Sequence, residues 1–167
     1  VKVLQALPNC EVAAVGSRSD EGAARFGDAH NIAGRHGSYE ALARDDSLDI
    51  VYVATPSMRH VDDSLLCLES GRHVLCEKAM APSLQEAKRV VDKAVAEDRF
   101  FLHGVWSRFF PAMAEIRKTL QSGVIGDVYA AHASFGQNDG AGQASATLET
   151  GIYCAQFLQW AFDGDAP

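Results

Sequence analysis

The sequence predicts an α/β protein: a parallel sheet flanked by helices, followed by the start of a second, α+β domain. Three observations carry this. Apolar runs of strand length, of which Ile50-Val51-Tyr52-Val53-Ala54 is the clearest, alternate with segments of helical spacing. Strand, helix, strand, helix, strand in one sheet means parallel strands joined by right-handed crossovers. After Gly104 that rhythm stops, and a helix, a glycine turn and a strand of alternating character follow.

Taken in order, Val1 to Leu7 reads as helix, stopped by Pro8-Asn9, and Glu11 to Ser17 as a buried strand. Small polar residues at Ser19-Asp20 cap a helix running towards His30, and Gly37-Ser38-Tyr39-Glu40 leads into a short helix ending near Asp45-Asp46. Asp49 to Thr55 is a strand closed by Pro56; Val61, Leu65 and Leu68 mark a helix stopped at Gly71. His73 to Cys76 is the next strand. Ser83 and Glu86 have capping-box spacing and open a helix with Leu84, Ala87, Val91 and Ala94 on one face. Phe100 to His103 is a strand, and the domain boundary falls after it, giving 1–105 and 106–167. Phe109, Met113, Ile116 and Leu120 then space as a helix, 123–127 as a turn, Val128 to Phe135 as a strand and Gly136 to Thr147 as a loop. A final helix carries Ile152, Cys154, Leu158 and Phe162.

Composition excludes several functions. The 167 residues carry 15 Lys+Arg against 22 Asp+Glu, a net charge of −7, with 47% hydrophobic residues. An acidic balance argues against a phosphate-backbone or anionic-membrane partner, which clustered Lys and Arg would bind. No apolar run approaches the roughly 20 residues that span a bilayer. Cys10, Cys67, Cys76 and Cys154 lack paired or metal-type spacing and read as four buried thiols, which makes a reducing cytoplasm the default. His30, His36, His60, His73, His103 and His132 show no ligand spacing, so no metal is assigned.

In an open parallel sheet, ligands bind beyond the carboxyl ends of the strands. Those ends deliver Ser17-Arg18-Ser19, Thr55-Pro56, Glu77-Lys78 and Gly104-Val105-Trp106 to one edge, a polar rim of dinucleotide size. Arg18 between two serines, with no acid before Asp20, suits a 2′-phosphate and favours NADP over NAD; a solvated surface Arg is the competing reading. Lys78, partly desolvated at a strand end, can exchange a proton with a substrate hydroxyl or carbonyl, against an ordinary surface Glu-Lys pair. Glu77 either points away or accepts from a ribose hydroxyl. Tyr153 stands four residues after Glu149, on the same face of the last helix, and forms a proton relay with Lys78 or is a packed core residue. His60 lines the cleft or serves the start of its helix.

These residues resemble the glucose-fructose oxidoreductase/inositol dehydrogenase/MocA (Gfo/Idh/MocA) group of NAD(P)-dependent dehydrogenases, and within it the dimeric dihydrodiol dehydrogenase and D-xylose dehydrogenase branch. The segments that carry the resemblance are Tyr52-Val53-Ala54-Thr55-Pro56 with His60, Gly71-Arg72-His73-Val74-Leu75-Cys76-Glu77-Lys78, Trp106-Ser107-Arg108-Phe109-Phe110-Pro111 and Gly151-Ile152-Tyr153-Cys154. The resemblance implies an incomplete Rossmann-like sheet followed by the start of a substrate domain. It implies Lys78 as the catalytic cation, Tyr153 as acid/base, Glu149 at the position of a family Asp, Glu77 as a ribose contact, and Trp106 and Arg108 contacting cofactor or substrate. The implied reaction is hydride transfer between NADP and a secondary alcohol of a trans-dihydrodiol or aldose, with a homodimer in the full-length protein.

The chain departs from the family pattern in four places. No G-x-G-x-x-G occurs, Gly140 and Gly142 lacking a third glycine; the first strand and glycine turn are expected before Val1. Ala79 replaces the family Pro, so a cis peptide after Lys78 is not expected. Glu149 is one methylene longer than Asp, and the loop before it is short. The chain is expected to be an internal piece of a longer enzyme, weakly active or inactive alone. The alternatives are a noncatalytic nucleotide-binding or interaction homologue, and an NAD-dependent sugar or inositol dehydrogenase of the same family.

Overall fold

A computed structural model describes residues 1–136 and 146–163. Five strands form: β1 (Ala14–Gly16), β2 (Gly34–His36), β3 (Ile50–Val53), β4 (His73–Glu77) and β5 (Phe101–Gly104). The helices are α1 (Lys2–Gln5), α2 (Asp20–His30), α3 (Tyr39–Ala43), α4 (His60–Glu69), α5 (Leu84–Ala96), α6 (Pro111–Gln121) and α7 (Ile152–Asp163). All strand pairs are parallel, as the alternation with helices requires.

The strands divide into two sheets rather than the single one expected: β1 pairs with β2, and β3, β4 and β5 pair in that order. The edges of β1 and β3 that carry no ladder flank a cavity of about 990 Å³, lined by Val12, Val15, Val51 and Val53 among others. β2 is absent from the sequence-based expectation, because Gly-Arg-His has no strand signature. Register with β1 creates it, Ala14 opposite Gly34 and Gly16 opposite His36, and the approach is so close that a Cβ on Gly34 would stand 2.8 Å from the Ala13 carbonyl.

Local chemistry explains where the helices begin. The Ser19, Ser38 and Ser83 hydroxyl oxygens accept backbone N–H bonds from Gly22, Ala41 and Glu86 at 3.1–3.2 Å. At α5 only half of the capping box forms, since the Glu86 carboxylate pairs with Arg89. α2 ends at Asn31 in the left-handed conformation, φ 55°.

The core lies between β3, β4 and the helices α4 and α5: Val51, Val53, Leu68, Val74, Cys76 and Val90. In α5 the buried residues are Val90 and Ala94; of the expected face Ala94 is buried and Ala87 half-buried, while Leu84 and Val91 face solvent and Val90 takes their place. In α7 the buried residues are Tyr153, Gln156 and Trp160, rather than the more apolar Ile152, Leu158 and Phe162, because Trp106, Arg108 and Arg117 receive them.

Three further expectations are corrected. Val128 to Phe135 forms no strand; it has no ladder partner among the described residues, and an unpaired strand has nothing to hold it. Cys10 is exposed, because it sits in the turn after Pro8-Asn9 and β1 starts only at Ala14, and Cys154 is half-buried. Only Cys67 and Cys76 are buried, and burial pushes their thiols up to about 12 and about 11, leaving them protonated and inert. Most of the expected loop, including Gly140 and Gly142, lies outside the described residues, as do Gly164 and Pro167.

Leu68 is fully buried in this core. Leu68→Ala is expected to lower unfolding free energy by about 2–5 kcal/mol, read as a fall in the urea midpoint.

Candidate active site

β4 carries its last residue, Glu77, to the strand end, and Lys78 follows it into a cavity of about 380 Å³ lined by Thr55, Pro56, Ser57, His60, Glu77 and Glu149. The Lys78 ammonium donates to the Glu149 backbone carbonyl and to its Oε2, each at 2.8 Å. Two of its three N–H donors are thus engaged by one residue, and the third has no hydrogen-bond acceptor among the described residues. Glu149 Oε1 accepts from the Ser57 hydroxyl at 3.1 Å. The Lys78 ammonium holds the Glu149 carboxyl below the usual carboxylate range, and Ser57 adds to this against the opposing effect of partial burial.

Glu77 does not turn away. Its Oε1 accepts the Tyr52 O–H at 2.5 Å and its Oε2 accepts the Lys78 backbone N–H at 3.1 Å. Parallel register sets Tyr52 opposite Leu75, two residues before Glu77, so the phenol reaches the carboxylate diagonally across the ladder. Burial and the adjoining carboxylate push the Tyr52 phenol well up, so it stays a donor.

Behind Lys78 the chain is held by two histidines. His60, 1% exposed at the start of α4, has Nδ1 2.7 Å from the Ala79 carbonyl and Nε2 2.7 Å from the Thr55 carbonyl. His103 of β5 accepts the Met80 N–H at Nε2, 3.2 Å away. The Lys78–Ala79 peptide bond, directly before the peptide group these rings contact, is cis, which corrects the expectation drawn from the replacement of Pro by Ala.

Tyr153 enters from α7. Its Oη accepts the Trp106 indole N–H at 2.7 Å, and the Lys78 ammonium lies 6.0 Å from its ring centroid. Glu149 does not share an α-helical face with Tyr153: Thr147–Gly151 is a π-helical turn, and it feeds Glu149 towards Lys78. Arg108 turns to α7, donating to the Gln156 side-chain and backbone oxygens at 3.1 and 3.2 Å, and lines neither cavity.

Ser17 and Arg18, beyond β1, line the larger cavity with Tyr39 and Arg59. Ser19 does not, its hydroxyl being spent on the α2 cap. The Thr55 hydroxyl donates to Asp63, which also pairs with Arg59. Thr55 and Pro56 line both cavities, with Arg18 in the larger and Lys78 in the smaller. A cation and a hydroxyl at one end, with a carboxylate and an ammonium at the other, suit a dinucleotide.

Among known families, residues 1–104 match the Gfo/Idh/MocA profile, described as an oxidoreductase family with an NAD-binding Rossmann fold. The chain belongs to this family. It is 39% identical over 175 residues to a trans-1,2-dihydrobenzene-1,2-diol dehydrogenase of Macaca fuscata fuscata and 38% identical to the human one, each match covering 99% of this chain and 52% of the relative. The chain therefore spans about half the length of these curated relatives. Among solved structures, a 3-ketoreductase from Actinomadura kijaniata, crystallised with TDP-benzene and NADP in an open conformation, superposes with a TM-score of 0.86 at 27% identity, covering 96% of this chain and 51% of that one.

Within this member of the family, the structure gathers Thr55, Pro56, His60, Glu77, Lys78 and Glu149 at one cavity, with Tyr153 and Trp106 beside it. Ser17 and Arg18 stand at the other; Ser19 and Arg108 are at neither. Sequence reasoning missed Ser57, Tyr52 and His103. Ser57 had a signal, a hydroxyl directly after Thr55-Pro56; Tyr52 and His103 act through contacts 25 and 23 residues away in the chain, which spacing does not reveal.

Because the folded Glu149 carboxyl titrates below its unfolded value, the stabilisation it gives is full above the ordinary carboxylate range and is lost as pH falls through the depressed midpoint. Lys78→Met is expected to move that midpoint upward, measured by 13C NMR of the labelled Glu149 carboxyl.

Proposed function

We propose that this chain is the nucleotide-binding part and the beginning of the substrate part of an NADP-dependent dehydrogenase acting on a secondary alcohol of a trans-dihydrodiol or an aldose. The observation that carries the reading is the ammonium of Lys78, fixed by Glu149 beside the Tyr153 phenol at the wall of the smaller cavity. The division into a dinucleotide-binding unit over 1–105 and the start of a substrate domain over 106–167 belongs to this reading, as do a homodimer of the full-length protein and a cytoplasmic location.

Nicotinamide, when bound, supplies the hydride chemistry. The residues of this chain supply placement and proton handling. Lys78 points its remaining N–H at the alcohol oxygen, favouring its loss of a proton. Trp106 donates to Tyr153 Oη, which orients the phenol and leaves its O–H directed elsewhere, so Tyr153 exchanges the proton with the substrate oxygen. Glu77, locked by Tyr52 and the Lys78 amide, presents an acceptor for a ribose hydroxyl. At the far end Arg18 and Ser17 receive the 2′-phosphate, which supports NADP over NAD. The NADP in the similar ketoreductase supports the same choice, and the dihydrodiol in the names of the relatives supports the substrate class.

In the protein that contains this chain, Lys78→Met is expected to lower kcat/KM by roughly 10²–10⁴-fold with cofactor affinity retained. Turnover at the parent rate would overturn the assignment. Arg18→Asp is expected to weaken NADP binding by roughly 10–100-fold while leaving NAD binding close to its parent value, measured by fluorescence titration of both cofactors.

A further inference from the structure

The His60 ring is almost wholly buried and both of its nitrogens lie 2.7 Å from backbone carbonyl oxygens, Ala79 on one side and Thr55 on the other. A carbonyl oxygen only accepts. A neutral imidazole has one N–H and one bare nitrogen, so one of these contacts would set lone pair against lone pair. Two acceptors at hydrogen-bond distance require two donors. His103 does the reverse, since its Nε2 accepts from the Met80 amide at 3.2 Å and is therefore bare. Together the two rings grip one peptide group, Ala79–Met80, His60 by its carbonyl and His103 by its N–H.

We propose that His60 and His103 are a positioning pair in opposite protonation states, His60 doubly protonated and His103 neutral, that clamps the Ala79–Met80 peptide group by its carbonyl and its N–H and so aims Lys78. Burial costs a charged ring several kcal/mol unless it is paired, and His60 is paired with two carbonyl dipoles. The surrounding charges also accommodate it. Glu77 at the end of β4, Lys78 after it and Glu149 from the π-turn line the same cavity, Arg59 directly before His60 pairs with Asp63 three residues after it, and His103 faces it from β5. Glu149 lies close enough for a positive His60 to favour its carboxylate. Burial, and then a charge on His60, push His103 down, which keeps it the neutral partner. The split separates two identical side chains into a double donor and an acceptor, as neighbouring groups with divergent environments do.

That Lys78 is the group so aimed rests on the function proposed above; the protonation states do not. The test is a long-range 1H–15N correlation spectrum of the 167-residue chain labelled on histidine, at pH 7.5, which reads each ring nitrogen through its carbon-bound protons. Two protonated nitrogens are expected on His60, and on His103 a protonated Nδ1 with a bare Nε2. His60→Gln and His103→Gln assign the signals; if either fails to fold, single replacement of the other histidines assigns them by elimination. One bare nitrogen on His60, or two protonated ones on His103, overturns the proposal. The clamping role is read from the acid midpoint of the Glu149 carboxyl, which reports its contact with Lys78. His103→Gln, whose amide oxygen still accepts from Met80, is expected to keep that midpoint, and folded His103→Leu to raise it. A midpoint unchanged in the Leu variant overturns the clamp. If Lys78→Met left turnover intact, the function would fall while the histidine result stood.

Discussion

Among the described residues, the ion pair of Lys78 and Glu149 joins the end of β4 to the turn that opens α7, at the wall of the smaller cavity. Lys78 leaves the end of β4 and meets Glu149, 71 residues later, through both its carboxylate and its backbone carbonyl. Because the ammonium binds main chain as well as side chain, it fixes the path of the π-turn and not merely one rotamer. Everything downstream inherits that placement: α7 starts at the end of the turn, and Tyr153, one residue into α7, arrives above the ammonium with its oxygen already accepting from Trp106. An exposed ion pair of this kind would contribute little to stability. Its value in the proposed reading is geometric, since it sets the distance between the two groups assigned to one substrate oxygen.

The fold was readable where it depends on local chemistry. Serine caps, the β-branched runs of β3 and β4 and the glycine stop after α4 all use interactions within a few residues, so Ser19, Ser38, Ser83 and Gly71 mark boundaries directly. What escaped is set by partners distant in sequence. β2 is a strand only because β1 lies beside it. The buried stripe of α7 follows its polar members, since Gln156 serves Arg108 and Tyr153 serves Trp106. Val128 to Phe135 shows the converse, an alternating pattern that makes no strand where the described residues give it no ladder.

The site was legible to a similar depth. Strand ends in a parallel sheet point to one rim, and that rule placed Thr55, Glu77 and Lys78 before any contact was known. It could not distinguish residues that face a ligand from residues that hold those residues in place. The Thr55 hydroxyl is given to Asp63, Ser19 to a helix cap and the His60 ring to two carbonyls, while Ser57 and Tyr52 supply bonds that spacing alone does not show. The cis bond after Lys78 is a further case: residue identity at Ala79 argued for trans, and the observed geometry accompanies contacts from α4 and β5.

The order β3-β4-β5 leaves β4 with a ladder on each side, while β1, β2, β3 and β5 each have one. Opening β4 therefore requires breaking two sets of backbone bonds at once, and its amides belong to the part of the molecule that opens only with global unfolding. Lys78 follows that doubly secured strand directly, whereas its counterpart Glu149 sits on a π-helical turn outside both sheets. The ammonium is thus anchored through the best-secured strand of the sheet, and Glu149 meets it from outside the sheet.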